Sequence, residues 1–226
     1  MKWLVGLAVL ALAVIAEASG AAADDITVTN IAMPYEEMLT IDGPIAPTEA
    51  YVGQLVLTTT TDGTIDAWCI DLFHDGSLGP QDSIFEIEPI TTDNNGNPLT
   101  AAQIADISGL AAYGDNLLAA GGTTADLDRE SAAVQLAIWS IEYADFSYSG
   151  GDSALADLTT HLVSEAAAGD FSGDADELKG LEGQQSYAAD SPAPLPEPNS
   201  LALFAAALCG LALRRRRGAS VALKRA

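Results

Sequence analysis

Apolar positions along this chain follow three regimes. In the first, residues 51–59 and 65–73 are β-branched and apolar runs that meet around Asp62-Gly63, a dipeptide suited to a tight hairpin. Residues 83–90 alternate, with Phe85 and Ile87 on one face and Glu86 and Glu88 on the other, and read as a further strand. Asp93-Asn94-Asn95-Gly96-Asn97 is turn chemistry, and beyond it the period lengthens. Thr100 is placed to cap a helix carrying Ile104, Ile107 and Ala111, which Gly114 would end. A second helix is predicted over residues 128–143 and a third over 153–169, with Leu155, Leu158 and Leu162 turned inward. Strands first and helices afterwards predict an α+β domain, an antiparallel, barrel-like sheet followed by a small helical half. Residues 170–190 read as a loose acidic linker.

The third regime, unbroken apolarity, occupies the two ends. Met1, Lys2 and Trp3 precede an apolar run over residues 4–15, then a small-residue stretch over 18–23 and the acidic pair Asp24-Asp25. A charged start, a short apolar core and an Ala-x-Ala exit predict a secretory signal peptide over residues 1–23. At the other end, residues 191–198 read Ser-Pro-Ala-Pro-Leu-Pro-Glu-Pro, a stiff spacer that cannot continue a helix. Thirteen apolar residues, 201–213, follow, and then Arg214, Arg215, Arg216 and Arg217. A helix of that length spans about 20 Å, against about 30 Å of bilayer hydrocarbon. The arginines can snorkel into headgroups and hold the end on the cytoplasmic side, so a short or tilted membrane anchor is expected.

Charge sharpens the division. Residues 24–198 hold 31 of the 32 acidic residues but only Arg129 and Lys179 of the nine basic ones. So acidic a surface repels nucleic acid and anionic lipid and favours solubility.

Pro196-Glu197-Pro198, the apolar helix and the arginine cluster, in that order, resemble the PEP-CTERM sorting signal of Gram-negative, exopolysaccharide-producing bacteria. The resemblance covers residues 196–217 and implies an inner-membrane-anchored precursor. An exosortase-type membrane protease would cut it near Pro-Glu-Pro and deliver it to the cell surface or extracellular matrix. The chain departs from the pattern in residues 218–226, which would form a cytoplasmic tail. On this reading the exported domain covers residues 24–180, and residues 181–195 are a flexible acidic and proline-rich linker.

Of the two cysteines, Cys209 sits in the apolar C-terminal segment, so Cys69 is an unpaired thiol in an exported domain. Simple burial between Trp68 and Ile70, a disulfide-linked dimer and a Cys–His hydrolase using His74 or His161 would each account for it. A second stretch bears on the choice. Within the second predicted helix, Val134, Ala137, Ile138 and Ile141 share one face, and Gln135, Trp139 and Glu142 fall on another. An amide in so apolar a helix is costly unless it is bonded.

Trp68-Cys69-Ile70-Asp71 on a strand, paired with Gln135-Leu136-Ala137-Ile138-Trp139 on a later helix, resembles the internal thioester domains of bacterial surface adhesins. The likeness spans about residues 50–145, including the helix ending Leu110-Ala111-Ala112-Tyr113-Gly114. It implies that the Cys69 sulfur attacks the Gln135 side-chain carbonyl, releasing ammonia and leaving a thioester. Trp68, Ile138 and Trp139, with Ile70, would be its apolar cover. His74 is the first candidate for the base that activates the thiol, with Asp71 and Glu142 also open. The chain has Val134 where many members carry threonine, and a short Cys-to-Gln spacing. An amine or hydroxyl on a surface or polysaccharide partner would open the bond and become covalently attached, without turnover.

Residues 93–97 and 170–177 cluster oxygen ligands but lack the glycine and glutamate placement of an EF-hand, so no cofactor is expected and Ca2+ is the only candidate. There is no phosphate-binding loop, zinc-spaced Cys/His cluster or Gly-x-Ser-x-Gly, and an ordinary enzyme is the least favoured class. Two readings remain: a thioester-bearing surface protein, and a non-reactive structural or binding component of the polysaccharide matrix.

Overall fold

The computed structural model describes residues 25–190 apart from residue 182. The expected signal peptide, the proline-rich spacer, the sorting motif with Pro196, Glu197, Pro198 and Arg214 to Arg217, and the tail all lie outside the described residues. Among the described residues no helix is long and apolar enough to cross a membrane.

Among the described residues, nine strands and three helices form an α+β unit. In chain order they are β1 (Asp25–Ala32), β2 (Glu37–Asp42), β3 (Thr48–Val52), β4 (Leu55–Thr59), β5 (Thr64–Cys69), β6 (Gly79–Pro89), α1 (Ala101–Ala119), α2 (Thr124–Glu142), β7 (Ser147–Ser149), α3 (Ser153–Ala168), β8 (Ala175–Gly180) and β9 (Tyr187–Asp190). Six strands close an antiparallel barrel in the order β1-β4-β5-β9-β8-β6, and β3-β2-β7 form a separate small sheet.

The hairpin at Asp62-Gly63 joins β4 to β5, with Thr58 opposite Thr64 and Leu55 opposite Ala67. Gly63 supplies the positive φ of 79° that the turn requires. The apolar run over residues 51–59 is not one strand. It breaks at Gly53-Gln54, so that Tyr51 belongs to the small sheet and residues 55–59 to the barrel. Gly53 lies hard against the Tyr35 carbonyl and the Ser131 hydroxyl, where α2 meets the crossing point.

Thr100 caps α1 through a reciprocal capping box with Gln103. The expected stop at Gly114 does not occur, and the helix continues to Ala119. Gly114 serves close packing instead: a Cβ there would run into the Trp68 ring and the Val134 side chain. The second helix differs from an amphipathic surface helix, because Ser131 to Trp139 are all buried. It packs against both α1 and α3 and reaches β2 and β3, so no side of its middle turns faces water.

The loose linker expected over residues 170–190, and the domain end at residue 180, are overturned. β8 pairs with β6, β9 pairs with β8 and β5, and these two strands complete the barrel. Leu178, Tyr187, Ala188 and Ala189 are buried in the common core. The segment is polar because most of its acids point outward, while a few small and aromatic positions carry the packing.

Replacing Gly114 with alanine should raise helix propensity yet destabilise the fold by about 1–3 kcal/mol, because the added methyl has no room beside Trp68. A lower urea midpoint with an unchanged slope would register it.

Candidate functional site

β5 ends at Cys69, where the register with β4 has already run out at Ala67. Buried α2 brings Gln135 to this strand end, and its carboxamide stands in for the missing strand. The Cys69 N–H donates to Gln135 Oε1 at 2.9 Å, and Gln135 Nε2 donates to the Cys69 carbonyl at 2.8 Å. Both groups are almost wholly buried, Cys69 at 4% and Gln135 at 1% exposure. The two ends of the amide are thus fixed, and its carbonyl carbon lies against the residue that carries the thiol.

The sulfur is held by the turn that follows. The Cys69 thiol donates to the Asp71 carbonyl (3.2 Å), and Sγ accepts from the Asp71 N–H (3.4 Å) and from Gln185 Nε2 (2.8 Å). Burial pushes the thiol well up from its ordinary value; the Asp71 N–H bond to Sγ offsets part of this, while the negative charges of Asp71 and Glu142 add to it. The Trp139 indole N–H finds no conventional acceptor, yet it lies near enough to the sulfur to ease the burial penalty slightly. Near neutral pH this group is therefore a thiol rather than a thiolate.

Asp71, 1% exposed, organises the turn. Its Oδ1 accepts from the backbone N–H of Phe73 (2.9 Å) and of His74 (3.3 Å), and its Oδ2 from the Ser186 N–H (3.3 Å). The same Oδ2 lies 2.7 Å from His74 Nδ1. The Tyr143 hydroxyl and Asn94 Nδ2 both donate to the Ile70 carbonyl (2.9 Å each), which pins the residue between. A cavity of about 280 Å³ opens onto this arrangement, lined by Cys69, Gln135, Trp139, Asp71, His74 and Gln185.

Two turns along α2 from Gln135, Glu142 is buried with no partner in good hydrogen-bond geometry on either carboxylate oxygen, and the nearby Tyr143 hydroxyl donates to the Ile70 carbonyl. Burial holds its carboxyl well above the usual range; the neighbouring Tyr143 hydroxyl offsets part of this, and the charges of Asp93, Asp71 and Glu177 add to it. Such surroundings favour the neutral form of the acid.

The sequence-predicted residues divide as follows. Cys69 and Gln135 come together, and Trp139 covers them from the cavity wall. Trp68 and Ile138 are fully buried but line no part of the cavity. Trp68 projects from β5 toward α1, where its Nε1 donates to Asp115 Oδ1 at 2.9 Å. It anchors the strand to the helix. His74 is not on the sulfur; it is held by Asp71. Gln185 and the Asp71 backbone take the sulfur instead. Gln185 lies in the stretch that reads as linker, and no local pattern marks it. Among the described residues no group of three acids, cysteines or histidines is placed to hold a metal ion. The Asp93 carboxylate is occupied by Asn97, through its N–H (2.7 Å) and its Nδ2 (2.8 Å).

Compared with protein-family models, with curated proteins and with solved structures, the chain matches none.

Asp115 also accepts from Gln54 Nε2 at 2.7 Å, yet burial pushes its carboxyl up to about 6. The folded protein therefore binds this proton more tightly than the unfolded chain, and the stabilisation is full below about pH 4 and gone above about pH 6. The urea midpoint should fall as pH rises across that window. Asp115→Asn, which keeps the acceptor, should flatten the fall by on the order of 1 kcal/mol after allowance for partial exposure.

Proposed function

We propose that this is an exported, surface-sorted protein whose Cys69 and Gln135 close an internal thioester for a single covalent attachment to a surface or matrix partner. The carrying observation is the seating of the Gln135 carboxamide on the Cys69 backbone inside the core. In the closing step Sγ attacks the side-chain carbonyl carbon of Gln135, a C–S bond forms and the C–N bond breaks. The thiol proton passes to the departing nitrogen, which leaves as ammonia. The Cys69 N–H, already on Oε1, is aimed where negative charge develops in that step. Burial then protects the product from hydrolysis, with Trp139 forming part of the cavity wall.

The partner would enter by the cavity and supply an amine or hydroxyl to the acyl carbon, freeing Cys69. No step regenerates the thioester, so the protein acts once. Export rests on the expected signal peptide, and surface delivery on the PEP-CTERM resemblance with its exosortase-type protease.

A second reading is a non-reactive structural or binding component of the matrix. The strongly raised thiol and the fully hydrogen-bonded Gln135 amide favour it, since a satisfied amide also serves simply to tie α2 to β5. Intact mass separates the two. The purified protein should weigh one ammonia less than its sequence, Cys69→Ala and Gln135→Ala should each have full sequence mass, and methylamine should add to the wild type alone. Full sequence mass in fresh wild-type protein would leave the second reading standing.

A further inference from the structure

The cavity holds one element that thioester closure does not use. His74 lines it, 41% exposed at the side chain, with Nδ1 on the buried Asp71. Every other partner of the Asp71 carboxylate is a backbone N–H donor, from Phe73, His74 and Ser186. The carboxylate is thus an acceptor throughout, and Nδ1 carries the proton. That tautomer leaves Nε2 with a free lone pair on a ring whose orientation is fixed. The turn that orients the base also holds the sulfur, through the Asp71 N–H and carbonyl and through Gln185 Nε2, which donates to both Sγ (2.8 Å) and the Asp71 carbonyl (3.1 Å).

We propose that His74, positioned by Asp71, is the general base that opens the thioester to a hydroxyl nucleophile, so that the partner is an alcohol of the kind a polysaccharide presents. The inference rests on the thioester reading and deepens it. A neutral amine attacks an acyl carbon unaided, whereas a hydroxyl must lose its proton as it attacks, and a built base is what that second case requires. The O–H proton passes to His74 Nε2 as oxygen bonds to the acyl carbon of residue 135. The C–S bond then breaks, and the imidazolium returns the proton to the departing sulfur. The products are an ester and the Cys69 thiol. The return matters because burial makes a bare thiolate an unfavourable leaving group here. Glu49 and Asp75 on the same cavity wall add acceptors for the neighbouring hydroxyls of a sugar.

The test follows adduct formation by intact mass, with glycerol and methylamine as probes, in wild type, His74→Gln, His74→Ala and His161→Ala. His161 sits on the outer surface of α3, paired with Glu165. In both His74 variants the ammonia deficit should persist and the glycerol rate should fall by about a hundredfold, the lower part of what a positioned base contributes. The methylamine rate should change by less than about threefold, free imidazole should restore part of the glycerol rate in His74→Ala, and His161→Ala should behave as wild type. An unchanged glycerol rate in His74→Gln, or an equal loss with both probes, would overturn the proposal while leaving the thioester intact. A deficit lost only in the His74 variants would also overturn it, by assigning His74 to closure. A wild type without the deficit would remove the thioester itself, a separate and recognisable failure.

Discussion

The arrangement depends on one pair of hydrogen bonds, from the Cys69 N–H to Gln135 Oε1 and from Gln135 Nε2 to the Cys69 carbonyl. A strand that outlasts its neighbour leaves backbone donors and acceptors that must find partners once buried. β4 stops pairing at Ala67, and a glutamine from the most deeply buried helix supplies what the ladder lacks. Barrel and helical layer are thereby joined by a polar contact in a dry interior, where an unmet amide would cost about 1–3 kcal/mol. The same need for satisfaction that stabilises the fold sets an acyl group beside a thiol.

Much of the fold could be read from local pattern, and the failures have physical causes. The Asp62-Gly63 hairpin, the alternating strand around Phe85 and the Thr100 cap are set by short-range chemistry, which a sequence displays. Gly114 looked like a helix stop because glycine is usually a backbone choice; here it is a steric one, made by a tryptophan 46 positions earlier in the chain. β8 and β9 stayed hidden because they are short, acidic and paired with strands far away in sequence, so their stability comes from barrel closure rather than propensity. At the site, the Cys69 and Gln135 pairing was visible as two motifs. Asp71 showed only as one acid among many, and Gln185 as a polar residue in a polar stretch. Their importance is geometric, fixed by which backbone atoms the folded turn presents.

Acidity has two different meanings in this molecule. Most carboxylates lie outside and set the surface potential. A small group, Glu142, Glu177 and Asp115, is pushed upward by burial, so the fold favours the neutral form of each relative to the unfolded chain. Asp71 has a structural part instead, its buried carboxylate accepting from three backbone N–H groups and lying on His74 Nδ1.

Gln185 reaches the sulfur from a residue 116 positions further along the polymer, on the approach to the strand that shuts the barrel. A chain made N-terminus first therefore contains Cys69 and Gln135 well before the donor that steadies Sγ. Without β8 and β9, within residues 175–190, the barrel has a gap between β5 and β6. A chain cut short before residue 185 would thus keep Cys69 and Gln135 but lack both the donor that steadies the sulfur and the strand that shuts the barrel.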